Sequence, residues 1–430
     1  MFTRVSYAKD LVTAAQFQKL ILATLAVLTL NCGKLAKKDD PDETNSEITS
    51  SCAAFSHPTR TQRSLVAHPT NANIAYVGIE AKGIFMTEDG GTTWTKQSKG
   101  ITAFKKTGTQ ELCYEEFRQI VISPSNPKIL YAAHMGGPKR ADDALGINNG
   151  VYYSKDGGAS WERRVFPSMN VGIYSLAIDA ANPDVIYAGA GASAGVTINT
   201  KGTVYRSANA GKDWTELAMA FDVEMSTNTL QVDPTNSNLI YAATWRITAP
   251  GEGANGSKIS TTQIGIQRSK DAGSTWETLN SGMGTGVKRA IMEMVLSPKN
   301  PKIMFLANFE DGDGAKMYYS LDGGDSFRPP TTSSDIDVAA FDPSVADGKT
   351  LLGFNISSAI LYRSTDGGAT WSEFATLPAE TISPLRLTNI IISPANSNIV
   401  YLSGSSGTVY RSTDGGKTFS KVLTDATLPL

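Results

Sequence analysis

The chain has 430 residues, 41% of them hydrophobic, with 39 glycines and 19 prolines, the composition of a turn-rich globular protein long enough for a large core. Its formal net charge is −2 and its Lys and Arg are scattered rather than striped, which excludes the basic field that nucleic-acid binding requires. The three histidines, His57, His68 and His134, show no paired-ligand spacing, so no metal and no cofactor is expected.

In chain order, Arg4, Lys9 and Lys19 precede an apolar run at 20–30, followed by Asn31, Cys32 and Gly33. The run is short for a membrane-spanning helix and suits the core of a signal peptide covering 1–31, which predicts export. A cysteine directly after such a core resembles a bacterial lipoprotein signal. That resemblance implies lipidation of Cys32, attachment to a membrane and a place in the bacterial cell envelope, periplasmic or surface-exposed. Residues 33–51 are charged and small, with little to bury, and read as a flexible tether. Residues 52–63 then form an N-terminal arm, and the repeats run from 64 to 430. If Cys32 carries lipid, Cys52 and Cys113 remain: a disulfide fastening the arm to the ring in an oxidising compartment, or two free thiols.

From residue 87 onward one phrase returns seven times: Ser or Thr, then Asp-Gly-Gly or a near variant, then Trp or Phe. The copies occupy 87–94, 154–161, 207–214, 269–276, 320–327, 364–371 and 412–419, with Asp89, Asp156, Asn209, Asp271, Asp322, Asp366 and Asp414 at the acidic position. The carboxylate accepts nearby backbone N–H groups and glycine supplies positive φ, so each copy is a tight turn between two strands. A second phrase precedes each turn, a Pro/Asn punctuation between apolar runs at 67–71, 123–127, 179–183, 233–237, 297–301 and 393–397, with a degenerate copy at 342–349. Each unit thus supplies four strands, and the repeat period is that of propeller blades. The expectation is an all-β fold: a single seven-bladed β-propeller with four antiparallel strands per blade and one of these turns in each.

The repeated phrase resembles the Asp-box, or bacterial neuraminidase (BNR) repeat, of sialidases, sortilin-type receptors, xyloglucanases and photosystem-assembly factors. The resemblance covers about residues 64–422 and implies a sialidase-like propeller in which the boxes are structural and lie away from the ligand-binding face. It does not select an activity, because function resides in sites grafted on the fold.

Function is therefore sought where the repeats differ. Long insertions at 95–117, 134–150, 191–202, 244–265 and 309–315 fall mostly on connections that open on the face opposite the Pro/Asn turns. Five of the six tryptophans sit in the boxes; Trp245 does not, and Arg246 follows it, a pairing suited to sugar stacking or a partner's side chain. Arg118, Arg289 and Arg386 stand just ahead of inner strands and complete the candidate ligand-binding set. A glycosidase needs two carboxylates flanking the scissile bond. The candidates are Glu115, Glu116, Asp222, Glu224 and Glu293, all near the expected channel mouth. No arginine cluster of the sialidase kind can be assembled from spacing. The preferred reading is a monomeric, lipid-anchored propeller that binds a glycan or a protein partner through its loop-rich face. The alternative is a glycoside hydrolase, sialidase-like or an endo-glycanase, using carboxylates at the channel mouth.

Overall fold

The computed structural model describes residues 64–79, 82–105, 112–114, 117–134, 150–167, 171–192, 203–219, 225–246, 265–283, 291–308, 317–332, 335–377, 387–404, 407–424 and 428. The chain divides into two units, 1–46 and 47–430, and all described residues belong to the second.

Every strand pairing is antiparallel, as period-two patterning with short turns requires. The first sheet comprises β1 (Leu65–Ala67), β2 (Ala75–Ile79), β3 (Gly83–Thr87) and β4 (Thr95–Lys96). A two-stranded ribbon follows, β5 (Phe104–Lys105) with β6 (Leu112–Cys113). The next sheet contains β7 (Phe117–Ile122), β8 (Leu130–His134), β9 (Gly150–Ser154) and β10 (Glu162–Val165). An eight-stranded sheet takes in β11 (Val171–Ile178), β12 (Ile186–Ala192), β13 (Thr203–Ser207), β14 (Thr215–Leu217), β15 (Met225–Asp233), β16 (Asn236–Arg246), β17 (Ile266–Ser269) and β18 (Glu277–Leu279). A three-stranded sheet holds β19 (Ile291–Leu296), β20 (Met304–Asn308) and β21 (Met317–Ser320). The last two sheets are β22 (Val338–Phe341), β23 (Leu351–Asn355), β24 (Ile360–Ser364) and β25 (Ser372–Thr376), then β26 (Leu387–Ile392), β27 (Val400–Gly404), β28 (Val409–Ser412) and β29 (Ser420–Leu423).

This pairing overturns the expected seven-bladed propeller with four strands in every blade. Among the described residues five sheets carry four strands or more, beside the three-stranded sheet and the ribbon, in a propeller-like arrangement. Two local causes account for the departure. The third and fourth repeats fuse through a bridge between Gly191 and Ser226. The glycine permits it, because a Cβ there would lie 2.5 Å from the Ser226 Cα. In the fifth repeat, the segment after the box begins Phe327-Arg328-Pro329-Pro330. Two prolines offer no N–H to a ladder, so the strand shrinks to a single bridge between Tyr319 and Arg328.

The core is divided into slabs between consecutive sheets. Tyr131 and Val151 pack with Ile173, Leu176 and Tyr205, and Phe305 and Tyr319 pack with Phe341, Tyr362 and Trp371. One slab joins the two ends of the repeat array: Leu65, Val77, Phe85 and Trp94 pack against Tyr401, Val409 and Leu423. Among the described residues no strand is exchanged across that seam, since the first sheet is built from β1–β4 and the last from β26–β29. Side chains close it instead. Trp94 Nε1 donates to the Val422 carbonyl at 3.1 Å, and Asn389 Nδ2 to the Leu65 carbonyl at 3.1 Å.

Each box is a closed hydrogen-bond unit, as its composition predicts. In the first, the Thr87 hydroxyl donates to Asp89 Oδ1 at 2.9 Å and accepts from the Gly91 amide at 2.7 Å. Asp89 Oδ1 also accepts the Thr93 amide at 2.8 Å, and Oδ2 the Thr93 hydroxyl at 2.7 Å. These bonds, led by the Thr93 backbone N–H, pull the Asp89 carboxyl down to about 2. The box carboxylates are thus consumed by the turn they hold.

Candidate functional site

The innermost strands β1, β7, β11, β15, β19, β22 and β26 surround an axial channel of about 540 Å³. Its wall is largely aliphatic, with Val66, Val121, Ile178, Val295, Phe341 and Ile391 among the lining side chains. Prolines from the turns, including Pro69, Pro124, Pro234 and Pro298, ring one end. The register places the other end: Phe117 pairs with His134, Met225 with Arg246, Ile291 with Asn308 and Leu387 with Gly404. All these pairs lie at the hairpin ends opposite the proline turns, where the long insertions leave the sheets.

Four predicted residues are brought to that end by the backbone. Arg118 follows Phe117 on β7; it is buried, with its guanidinium 5.6 Å from the ring centroid of Tyr174 on β11, within cation–π range. Glu293 on β19 is 7% exposed and lines the channel. Trp245 and Arg246 are the last two residues of β16, opposite Ser226 and Met225. Glu115, Glu116, Asp222, Glu224, Arg289 and Arg386 lie outside the described residues, as do Cys32 and Cys52. Cys113 is placed only by its backbone, paired with Phe104 in the ribbon. Of the five carboxylate candidates, Glu293 is therefore the one whose position is described. Among the described residues no group of three or more His, Cys, Asp or Glu side chains is arranged to hold a metal ion.

Two features escaped the sequence reading. The first is an aromatic cluster around Phe117. Phe117 and His134 stack edge to face at 5.9 Å, and His134 meets Tyr152 at 5.8 Å. The second is a set of amide side chains in the channel wall that tie neighbouring inner strands. Gln119 Oε1 accepts the Leu176 amide at 2.8 Å, and Gln231 Nε2 donates to the Met294 carbonyl at 3.3 Å. Asn389 does the same across the seam. The available signal was positional: Gln119, Glu293 and Asn389 each stand four residues before the Ser that opens the proline turn, in otherwise apolar runs.

Comparisons with known proteins bear on this fold. A family profile for the BNR/Asp-box repeat matches residues 152–163, and one described as sortilin, neurotensin receptor 3, matches 359–429. An ancestral GH74 enzyme is 15% identical over 84% of this chain, with a TM-score of 0.60. The chain is a BNR-repeat β-propeller. This BNR propeller spans 46% of the length of that GH74 enzyme, so the likeness concerns the fold alone. The GH74 xyloglucanase from Xanthomonas campestris is 13% identical, covering 84% of this chain and 70% of its own, with a TM-score of 0.40. YCF48 bound to a D1 peptide is 16% identical, covering 72% of this propeller and 84% of its own chain, with a TM-score of 0.44. No curated protein sequence matches the chain.

Proposed function

We propose that this BNR propeller binds a glycan or a protein partner on the face formed by the open ends of its inner hairpins. The observation that carries this reading is that strand register sets the backbones of Arg118, Glu293, Trp245 and Arg246 towards the same end of the inner hairpins. The opposite ends of the hairpins are proline turns, and the box carboxylates are saturated by their own turns. Residue types of this kind, aromatic, guanidinium and carboxylate, at the open end of an aliphatic channel would suit a ligand with both polar and apolar surfaces.

The sequence features at the N-terminus support an exported protein anchored through lipid on Cys32, so that residues 33–51 hold the propeller off a membrane. Cys32→Ala should release the protein from membranes, and continued attachment of that variant would remove the anchor.

A glycan-array screen of the soluble propeller, with the same sample assayed for cleavage, tests the binding reading. A ligand bound without product release, weakened at least tenfold by Trp245→Ala or Arg246→Ala, is the expected result. Product release abolished by Glu293→Gln would replace it with hydrolysis.

A further inference from the structure

Six of the seven turns that close the inner hairpins share one device: the side chain at the first turn position accepts backbone amides two or three residues on. Ser123 Oγ accepts the Asn126 amide at 3.0 Å, and Asp179 Oδ1 the amides of Ala181 and Asn182 at 2.8 and 3.2 Å. Asp233 Oδ1 accepts from Thr235 at 2.7 Å, and Asp342 Oδ1 from Ser344 at 2.9 Å. In the first repeat the position belongs to His68. Its Nδ1 accepts the amides of Thr70 at 3.2 Å and Asn71 at 3.1 Å. Backbone N–H groups only donate, so Nδ1 must offer its lone pair, and the ring is the neutral tautomer protonated on Nε2. Serine and aspartate remain acceptors throughout the neutral range; an imidazole does not.

The location gives this difference a consequence. The turn at 68–74 lies at the seam between the first and last sheets: Tyr401 of β27 donates its hydroxyl to the Ala72 carbonyl at 3.4 Å. The same turn holds the first box, whose Gly90 amide bonds the Asn73 carbonyl at 2.9 Å. Among the described residues no shared strand reinforces this seam.

We propose that the turn at 68–74 is a proton-sensitive clasp on the ring seam. Protonation of His68 at Nδ1 converts the acceptor into a donor facing two other donors, so the amides of Thr70 and Asn71 lose their partner. The turn then loosens its hold on Tyr401 and on the first box. The half-buried imidazole faces a cleft of about 600 Å³ shared with the Glu88 and Asp156 carboxylates, the Lys128 ammonium and the Tyr76 phenol. Burial pulls the imidazole below the ordinary histidine value of 6.5. The unfolded chain therefore binds this proton more readily than the folded one, and stability declines as pH falls below the unfolded value.

Local hydrogen–deuterium exchange of the full chain, corrected for the intrinsic pH dependence of amide chemistry, tests the clasp. Between about pH 7.5 and about pH 5.5, the amides of Thr70 and Asn71 should lose about fivefold in protection, the usual scale for losing a side-chain cap. His68→Ser and His68→Asp, which install the acceptors of the neighbouring repeats, should make that protection independent of pH over the same range. A parallel imidazole titration by NMR should place the His68 transition at the pH where protection is lost. Unchanged protection in the natural chain, or an equal loss in both variants, overturns the proposal.

Discussion

Asn209 donates its side-chain amide to Asp213 Oδ2 at 2.7 Å, which reverses the polarity found in the other boxes. Elsewhere the acidic residue accepts from a hydroxyl four positions on, as Asp271 does from Thr275 at 2.6 Å. In the third box the carboxylate has moved to the fourth position and the amide has taken its place. The turn amides are unaffected, since Asn209 Oδ1 still accepts the Asp213 N–H at 2.9 Å.

Exchange of donor and acceptor makes the two positions interdependent. Asn209→Asp alone should set two carboxylates against each other and destabilise the chain by about 1 kcal/mol at neutral pH. Adding Asp213→Thr should restore most of the loss by rebuilding the common arrangement. A double-mutant cycle in urea reads the coupling; simple additivity would mean the pair is unimportant.

Two boxes carry alanine where the others have their first glycine. Ala210 and Ala272 hold φ of 58° and 55°, in the left-handed region where a Cβ is crowded. Ala210→Gly and Ala272→Gly should each stabilise the protein by about 0.5–1 kcal/mol, because relieved strain outweighs the added freedom of the unfolded chain. Differential scanning calorimetry would show a raised Tm for either variant.

The box carboxylates set the acid limit of the fold. Backbone and hydroxyl bonds from Thr93 hold Asp89 near 2; the Thr275 hydroxyl and amide lower Asp271, and the Thr418 hydroxyl leads in lowering Asp414. Each titrates lower folded than unfolded, so its contribution is complete above about pH 4 and fades as the pH falls towards about 2. Acid unfolding followed by circular dichroism should therefore be steepest between about pH 4 and about pH 2. Asp89→Asn should shallow that slope.

Trp94 is the anchor of the seam, 7% exposed and bonded to the Val422 carbonyl. Trp94→Phe keeps most of the packing but leaves that carbonyl without its donor, at about 1 kcal/mol. Trp94→Ala should cost about 3–5 kcal/mol by opening a cavity in the slab that closes the array. The indole at Trp276 offers a control, since its Nε1 bonds the Gly273 carbonyl of its own box at 3.1 Å and spans no seam.

Local chemistry was legible wherever a residue acts on its near neighbours. The boxes at 87–94 and 412–419 read as turns because their Asp, Gly and Ser/Thr complete their hydrogen bonds within a few residues. The sheet count was less legible. The seven sequence units do not appear as seven equal four-stranded sheets, because pairing depends on contacts each unit makes with others. Gly191 meets Ser226 from the next repeat, and Pro329 and Pro330 deny β21 a full partner.

The sequence by itself determined an all-antiparallel repeat protein with structural boxes, since turn chemistry and period-two alternation are local properties. Only the tertiary structure decided where the array closes and what surrounds each polar side chain. Arg118 reads as a loop charge in the chain but lies buried over Tyr174, and Gln119, Gln231 and Asn389 spend their amides on neighbouring inner strands. Those partners are tens or hundreds of residues away in sequence. Their selection reflects the pairing of buried polar groups between neighbouring inner strands, which no local pattern encodes.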